Sequence, residues 1–115
     1  MNQQFLIDSI VENSSDIPKL SGLFLAGSFG RDAADEYSDI DLVAIAEAGD
    51  HKDLAADWRK KLENIFEIVF WNQFGTTNIL LNAITNEWQR IDLYIITKED
   101  FITRAQDSLK VLIDP

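Results

Sequence analysis

Apolar positions follow two periods along this chain, and the switches between them mark out its elements. Phe5, Leu6, Ile7, Ile10 and Val11 recur at helical spacing, which predicts an amphipathic helix over residues 3–13. A connection with Pro18 and Gly22 as breakers follows. Leu23, Phe24, Leu25 and Ala26 form a short continuous apolar run that suits a central strand ending at Gly27. Residues 28–33 suit a first helical turn, and 39–46 a second strand. Helical spacing then returns, with Leu54, Trp58, Leu62 and Ile65 on one stripe behind Asp50, an N-cap candidate with Asp53 three residues on. FEIVFWN (66–72) reads as a third strand. Residues 77–85 and 88–97 flank Asn86-Glu87 as the arms of a hairpin. Thr97-Lys98-Glu99-Asp100 resembles a capping box opening a helix with Phe101, Ile102, Ala105 and Leu109 inside. Residues 110–113 make a last short strand.

This order of helices and strands predicts an α+β fold, a mixed β-sheet with helices packed on it. At 115 residues the chain supports one core. It reads as a single domain, 1–115, complete in itself or the front part of something longer. With no cysteine there is neither a disulfide framework nor a thiolate metal site, which agrees with a cytoplasmic setting. The N-terminus lacks the basic region and cleavage site of a signal peptide, and no apolar run is long enough to cross a bilayer.

Charge narrows the partners. Ten basic against 20 acidic residues give a formal net charge of −10. Such a surface repels a phosphate backbone unless basic residues cluster, and Arg59-Lys60-Lys61 is set among Asp53, Asp57 and Glu63. Nucleic acid is therefore disfavoured as the main partner.

Against this background the segment DIDLVAIA is anomalous. Asp39 and Asp41 sit two residues apart in an apolar strand and so share one face, with Val43. Two neighbouring carboxylates repel, and each loses solvation if partly buried, at a cost of several kcal/mol by rough estimate. Arg31 is the only basic residue close by in sequence. A divalent cation such as Mg²⁺, which takes hard oxygen ligands, resolves the conflict. Asp92 has the same character within RIDLYII (90–96). If its strand lies beside that of Asp39 and Asp41, three carboxylates converge. That is a ligand set for two cations about 3.5–4 Å apart, the arrangement that serves in-line phosphoryl displacement.

Upstream, Gly27 and Ser28 end the first strand. Glycine there lets a ligand approach the main chain, and amides at a helix start with the Ser28 hydroxyl form a phosphate cradle. Gly30 adds room, and Arg31 can clamp a triphosphate.

The stretch GSFGRDAADEYSDIDL closely resembles the signature of the nucleotidyltransferase superfamily, which includes DNA polymerase beta, the aminoglycoside nucleotidyltransferases and the minimal nucleotidyltransferases. The resemblance implies a nucleotidyltransferase fold and enzyme activity: Mg²⁺-dependent transfer of a nucleoside monophosphate from an NTP such as ATP to a hydroxyl, with release of pyrophosphate. It implies that Gly27 and Ser28 hold the nucleotide phosphates, that Asp39 and Asp41 bind two Mg²⁺ ions, and that Asp92 is the third, catalytic carboxylate. Many members carry glycine after the arginine, where this chain has Asp32. The acidic surface points to a small-molecule or protein acceptor. Small stand-alone members resemble antitoxins paired with a helical protein, so a partner-dependent nucleotide-binding module is the alternative. A homodimer or a helical partner could then complete the acceptor surface.

Other conspicuous residues have plainer readings. His51 reads as a solvated surface residue, Trp58 as core, and Trp71 and Trp88 as strand residues packed on the sheet.

Overall fold

The computed structural model describes residues 3–27, 38–76, 78–104 and 109–113. Helix α1 (Gln3–Ser14) leads into β1 (Gly22–Ala26) and β2 (Ile40–Ile45), followed by α2 (His51–Ile65). Then come β3 (Ile68–Phe74), β4 (Ile79–Thr85), β5 (Arg90–Ile96), α3 (Lys98–Arg104) and β6 (Lys110–Ile113). The expected order of elements holds, and the third strand begins two residues later than its pattern suggested. The proposed turn over 28–33 and the Ala105 position lie outside the described residues, and Leu109 is not helical.

The strands form one six-stranded sheet in the order β3-β4-β5-β2-β1-β6. β2 and β5 run parallel, whereas the other pairs are antiparallel, so the sheet is mixed. A parallel pair needs a crossover, and α2 with the β3–β4 hairpin supplies it. Alternation decides which face is core. Along β2, Ile40, Leu42 and Ala44 are buried while Asp41 and Val43 are half-buried. Ile91, Leu93 and Ile95 of β5 and Ile79, Leu81 and Ala83 of β4 face the same side. Leu6, Ile7 and Ile10 of α1 and Leu54, Trp58 and Leu62 of α2 close that core. Fully burying each such side chain contributes about 1.5–3 kcal/mol, and Trp58 reaches the centre as its stripe implied.

β1 is covered on both faces, because Phe101 of α3 stacks on Phe24 with ring centroids 4.6 Å apart. α3 is opened by Thr97, whose hydroxyl accepts from the Asp100 amide at 3.3 Å, as the capping pattern predicted.

Three local expectations are corrected. Asp50 stands before α2 but its backbone is αR and its side chain makes no cap hydrogen bond. Its carboxylate lies 3.7 Å from Lys19 instead. His51 is 3% exposed, not solvated, because α2 starts at this residue and turns it inward. Trp88 lies in the hairpin loop, at φ 65° and 79% exposed, and not on a strand. The loop closes through Thr85 N–H to the Gln89 carbonyl (3.0 Å) and Trp88 N–H to the Thr85 carbonyl (2.9 Å). That leaves Trp88 in the left-handed position that a longer hairpin loop requires.

Candidate active site

The parallel pairing of β2 and β5 sets Asp41 directly opposite Asp92. Since Ile40 and Leu42 must face the core, the pleat sends Asp41 to the other face, where its neighbour Asp92 also lies. Asp39 immediately precedes β2, two residues upstream, and completes the trio on the half-open face. So Asp39, Asp41 and Asp92, singled out from two distant segments, come together at one end of the sheet. Gly27 joins them: across the antiparallel β1–β2 pair, Ala26 is the partner of Asp41, and the next residue is Gly27. Its φ is +60°, and a Cβ placed on it would stand 2.2 Å from Asp41 Oδ2. Only glycine fits there without moving the carboxylate. Ser28, Gly30, Arg31 and Asp32 lie outside the described residues.

The electrostatics are lopsided toward negative charge. Partial burial, then the charges of Asp92 and Asp39, push the Asp41 carboxyl up from the usual carboxylate range, and Arg90 offsets this only in part. Arg90 Nε donates to both carboxylate oxygens of Asp92, at 3.0 and 3.1 Å. It also lies 3.9 Å from Asp39 Oδ2. Asn82, facing Asp92 across β4–β5, donates its Nδ2–H to Oδ1 at 2.7 Å. With 16% of its side chain exposed, Asp92 is the most enclosed and most firmly oriented of the pair it forms with half-exposed Asp39.

The backbone before Asp39 is also tied down. Gln3 Nε2 of α1 donates to the Ser38 carbonyl at 2.8 Å, Gln89 Nε2 donates to the same oxygen at 3.1 Å, and Gln3 Nε2 also lies 3.1 Å from Gln89 Oε1.

Sequence reading did not single out these supports. The identification of Arg31 as the nearest cation is true in sequence and incomplete in space, because Arg90 comes from β5. A signal was available: Arg90 and Asp92 are two apart on one strand and must share a face. Asn82, Gln3 and Gln89 carried none, since their roles depend on strand register and on where α1 docks.

Among the described residues, no three acids or histidines form a ready-made metal cage. The donor chemistry nonetheless fits a hard divalent cation. All three acids offer carboxylate oxygens, and among the described residues Arg90 alone offsets, in part, the burial and neighbouring charge that raise the Asp41 carboxyl.

A family model for the nucleotidyltransferase domain matches residues 7–110. No protein of curated function matches the sequence. Solved structures with the same fold include a cytoplasmic RNA terminal U-transferase, with TM-score 0.61 and 17% identity over 81% of this chain and 28% of that one. Terminal uridylyl transferase 4 from Trypanosoma brucei with bound UTP and UMP gives TM-score 0.59 and 13% identity, over 90% of this chain and 39% of that one. The polymerase core of TRAMP, an RNA surveillance complex, gives TM-score 0.59 and 16% identity over 80% of this chain and 30% of that one. This chain thus spans well under half the length of these relatives. Among the described residues, no helix is long and apolar enough to cross a membrane.

Proposed function

Because the chain belongs to the nucleotidyltransferase domain family, we propose that it transfers a nucleoside monophosphate from an NTP to a hydroxyl of a small molecule or a protein, releasing pyrophosphate, in the cytoplasm and with Mg²⁺. The observation that carries this reading is the register of Asp41 against Asp92, with Asp39 two residues upstream. Asp39, Asp41 and Asp92 would hold the metal, two ions with bound NTP, and these would stabilise charge on the attacking and leaving oxygens. The bond formed is acceptor oxygen to α-phosphorus, and the bond broken joins the α-phosphorus to the oxygen bridging to the β-phosphate.

The chain's own groups divide the remaining work. Asp92, oriented by Asn82 and Arg90, takes the proton of the acceptor hydroxyl. The Gly27-Ser28 turn gives its main chain to the phosphates, with Gly30 leaving room and Arg31 acting as clamp. Arg90 balances the acids before nucleotide arrives and keeps its hold on Asp92.

A partner-dependent module is the second reading, and one observation favours it. The edge strand β3 exposes Val69, Phe70 and Phe74, each by about half. Together with the short span of this chain relative to its neighbours, this suits a catalytic domain whose acceptor surface comes from a second copy, a helical partner or a further domain.

Calorimetric titration of ATP, GTP, CTP and UTP with Mg²⁺, on the wild type and the Asp39→Asn/Asp41→Asn variant, tests the proposal. Metal-dependent binding that disappears in the variant supports it. A folded wild type that binds no NTP overturns the self-sufficient enzyme in favour of the module.

A further inference from the structure

Two strands end the sheet, and they end it differently. β6 is four residues long and opens with Lys110, so that edge is short and charged. β3 is seven residues, IVFWNQF, with neither a charge nor a proline. Short length, lysine and proline are the usual devices that keep a strand edge from pairing with another chain. β3 carries another such device, an irregularity of register between Ile68 and Phe70. From Phe70 to Phe74 its register with β4 is regular, and among the described residues no strand pairs with its outer side.

The exposed apolar surface gathers along that edge. Directly paired residues share a face. Asn72 is opposite Asn82, and Asn82 is opposite Asp92, so Phe70, Asn72 and Phe74 lie on the open face that carries the acids. The two phenylalanines are 47% and 53% exposed. Trp71, on the other face, packs against the core with Arg59 over its ring at 4.9 Å. Asn72 Oδ1 accepts from the adjacent Gln73 N–H at 3.0 Å, and its Nδ2 makes no hydrogen bond among the described residues.

We propose that β3 is the docking surface for a second copy of this chain, the two strands pairing antiparallel about a two-fold axis at Asn72. A two-fold contact needs a surface that complements itself, and this stretch does. Phe70 would face Phe74 of the second copy and Phe74 its Phe70, while Trp71 would face Gln73 and Asn72 would meet Asn72, each Nδ2 donating across the axis. Charge favours this place over others. A chain of net charge −10 repels its own copy over most of its surface, but nothing on β3 is charged. Glu67, the acid just before the strand, would fall past Phe74 of the other copy, where residues 73–78 (QFGTTN) carry no charge, so no two acids meet. Area also suffices. A phenylalanine buries about 150–250 Å², so four half-exposed rings supply about 400 Å². That is some two-fifths of the roughly 1,000 Å² a specific interface needs, before Val69, Gln73 and the main chain are added.

Pairing would join two six-stranded sheets into one of twelve strands. Both acidic sites would then open on the same face, five strand spacings or about 24 Å apart, with the four phenylalanines between them. This rests on the partner-dependent reading above and names the second copy as what completes the acceptor surface, while the pairing itself needs no nucleotide.

The chain has no cysteine, so a single introduced one reports contact cleanly. Residues directly opposite in an antiparallel pair have Cα atoms about 4.5–5.5 Å apart, within disulfide reach. Oxidised Asn72→Cys should therefore form a covalent dimer, while Val111→Cys, 59% exposed on the opposite edge, should not. Sedimentation of the full wild-type chain in EDTA should give a dimer. Phe74→Lys removes both ring pairs at once and should weaken it about tenfold or more. Because Phe74 is half exposed, that variant keeps the fold. A wild type that stays monomeric at every concentration, an Asn72→Cys chain that cross-links no faster than Val111→Cys, or a dimer indifferent to Phe74→Lys would overturn the proposal and leave β3 to a partner of another kind. Every readout is taken without metal or nucleotide, so a failed NTP titration leaves the dimer standing, and a monomer leaves the NTP result standing.

Discussion

Gly27 and Gly49 make a matched pair for testing whether Asp41 holds the nucleotide's metal. Both have positive φ, +60° and +92°. Alanine at either is pushed into left-handed backbone at about 1–2 kcal/mol, or roughly 5–10 °C in Tm for a domain this size. Their surroundings differ. At Gly49 the new methyl meets nothing within 4 Å. At Gly27 it stands 2.2 Å from Asp41 Oδ2, where contacts under 3.0 Å are essentially never seen. The Asp41 carboxylate must therefore retreat by about 1 Å, enough to spoil a ligand geometry that tolerates far less. Disturbing a ligand in this way costs about 10–100-fold in metal affinity. Melting curves and Mg²⁺–NTP calorimetry on Gly27→Ala and Gly49→Ala should show similar losses of stability, with binding lost only for Gly27→Ala. Equal Mg²⁺–NTP affinity in the two variants would refute the reasoning, because Asp41 would then be displaced without consequence.

Three further outcomes follow from the same geometry. Burial and the neighbouring acids raise the Asp41 carboxyl above its ordinary value of 3.8, so its ionised form costs stability above the folded-state value and nothing below 3.8. Asp41→Asn should therefore melt higher than wild type at neutral pH in EDTA, with the gap closing as pH falls; a gap that persists in acid would contradict this. Arg90→Gln removes the cation between Asp39 and Asp92. It should lower stability by about 0.5–1 kcal/mol, given its exposure, and raise Tm more on adding Mg²⁺ than the wild type does; an unchanged Mg²⁺ response would count against the shared-charge account. Trp88→Gly relieves a left-handed non-glycine residue and should stabilise the chain by about 1 kcal/mol in chemical denaturation; a loss of stability would mean that the indole packs on something in solution.

What was legible in the sequence follows from how local each feature is. Alternation along IDLVAI and RIDLYI is a local property of the strands, so the anomaly of Asp41 and Asp92 showed as acids breaking an apolar run. The Thr97 cap needs only a span of three residues, and it formed. Asp50 shows the limit of that reasoning. It occupies a good capping position, yet Lys19, some thirty residues upstream, lies beside it and its backbone is αR. His51 fails for the same reason: charged neighbours in sequence suggested a solvated ring, while the start of α2 against the sheet end buries it.

The division runs through the acidic site itself, and it explains how three carboxylates can coexist there. Strand period places Asp39 and Asp41 on one face and marks Asp92 as an acid breaking a second apolar strand, which any reader of the sequence can infer. What makes the placement tolerable is long-range. β2 and β5 must lie side by side and in parallel register, β4 must bring Asn82 opposite Asp92, and α1 must dock so that Gln3 reaches the Ser38 carbonyl. Among the described residues, Arg90 then serves two acids with one guanidinium, leaving Asp41 as the under-compensated member. A site built only for stability would place a second cation, or an aliphatic side chain, at position 41. This chain keeps the carboxylate and fits a glycine against it, which agrees with the cation site proposed above.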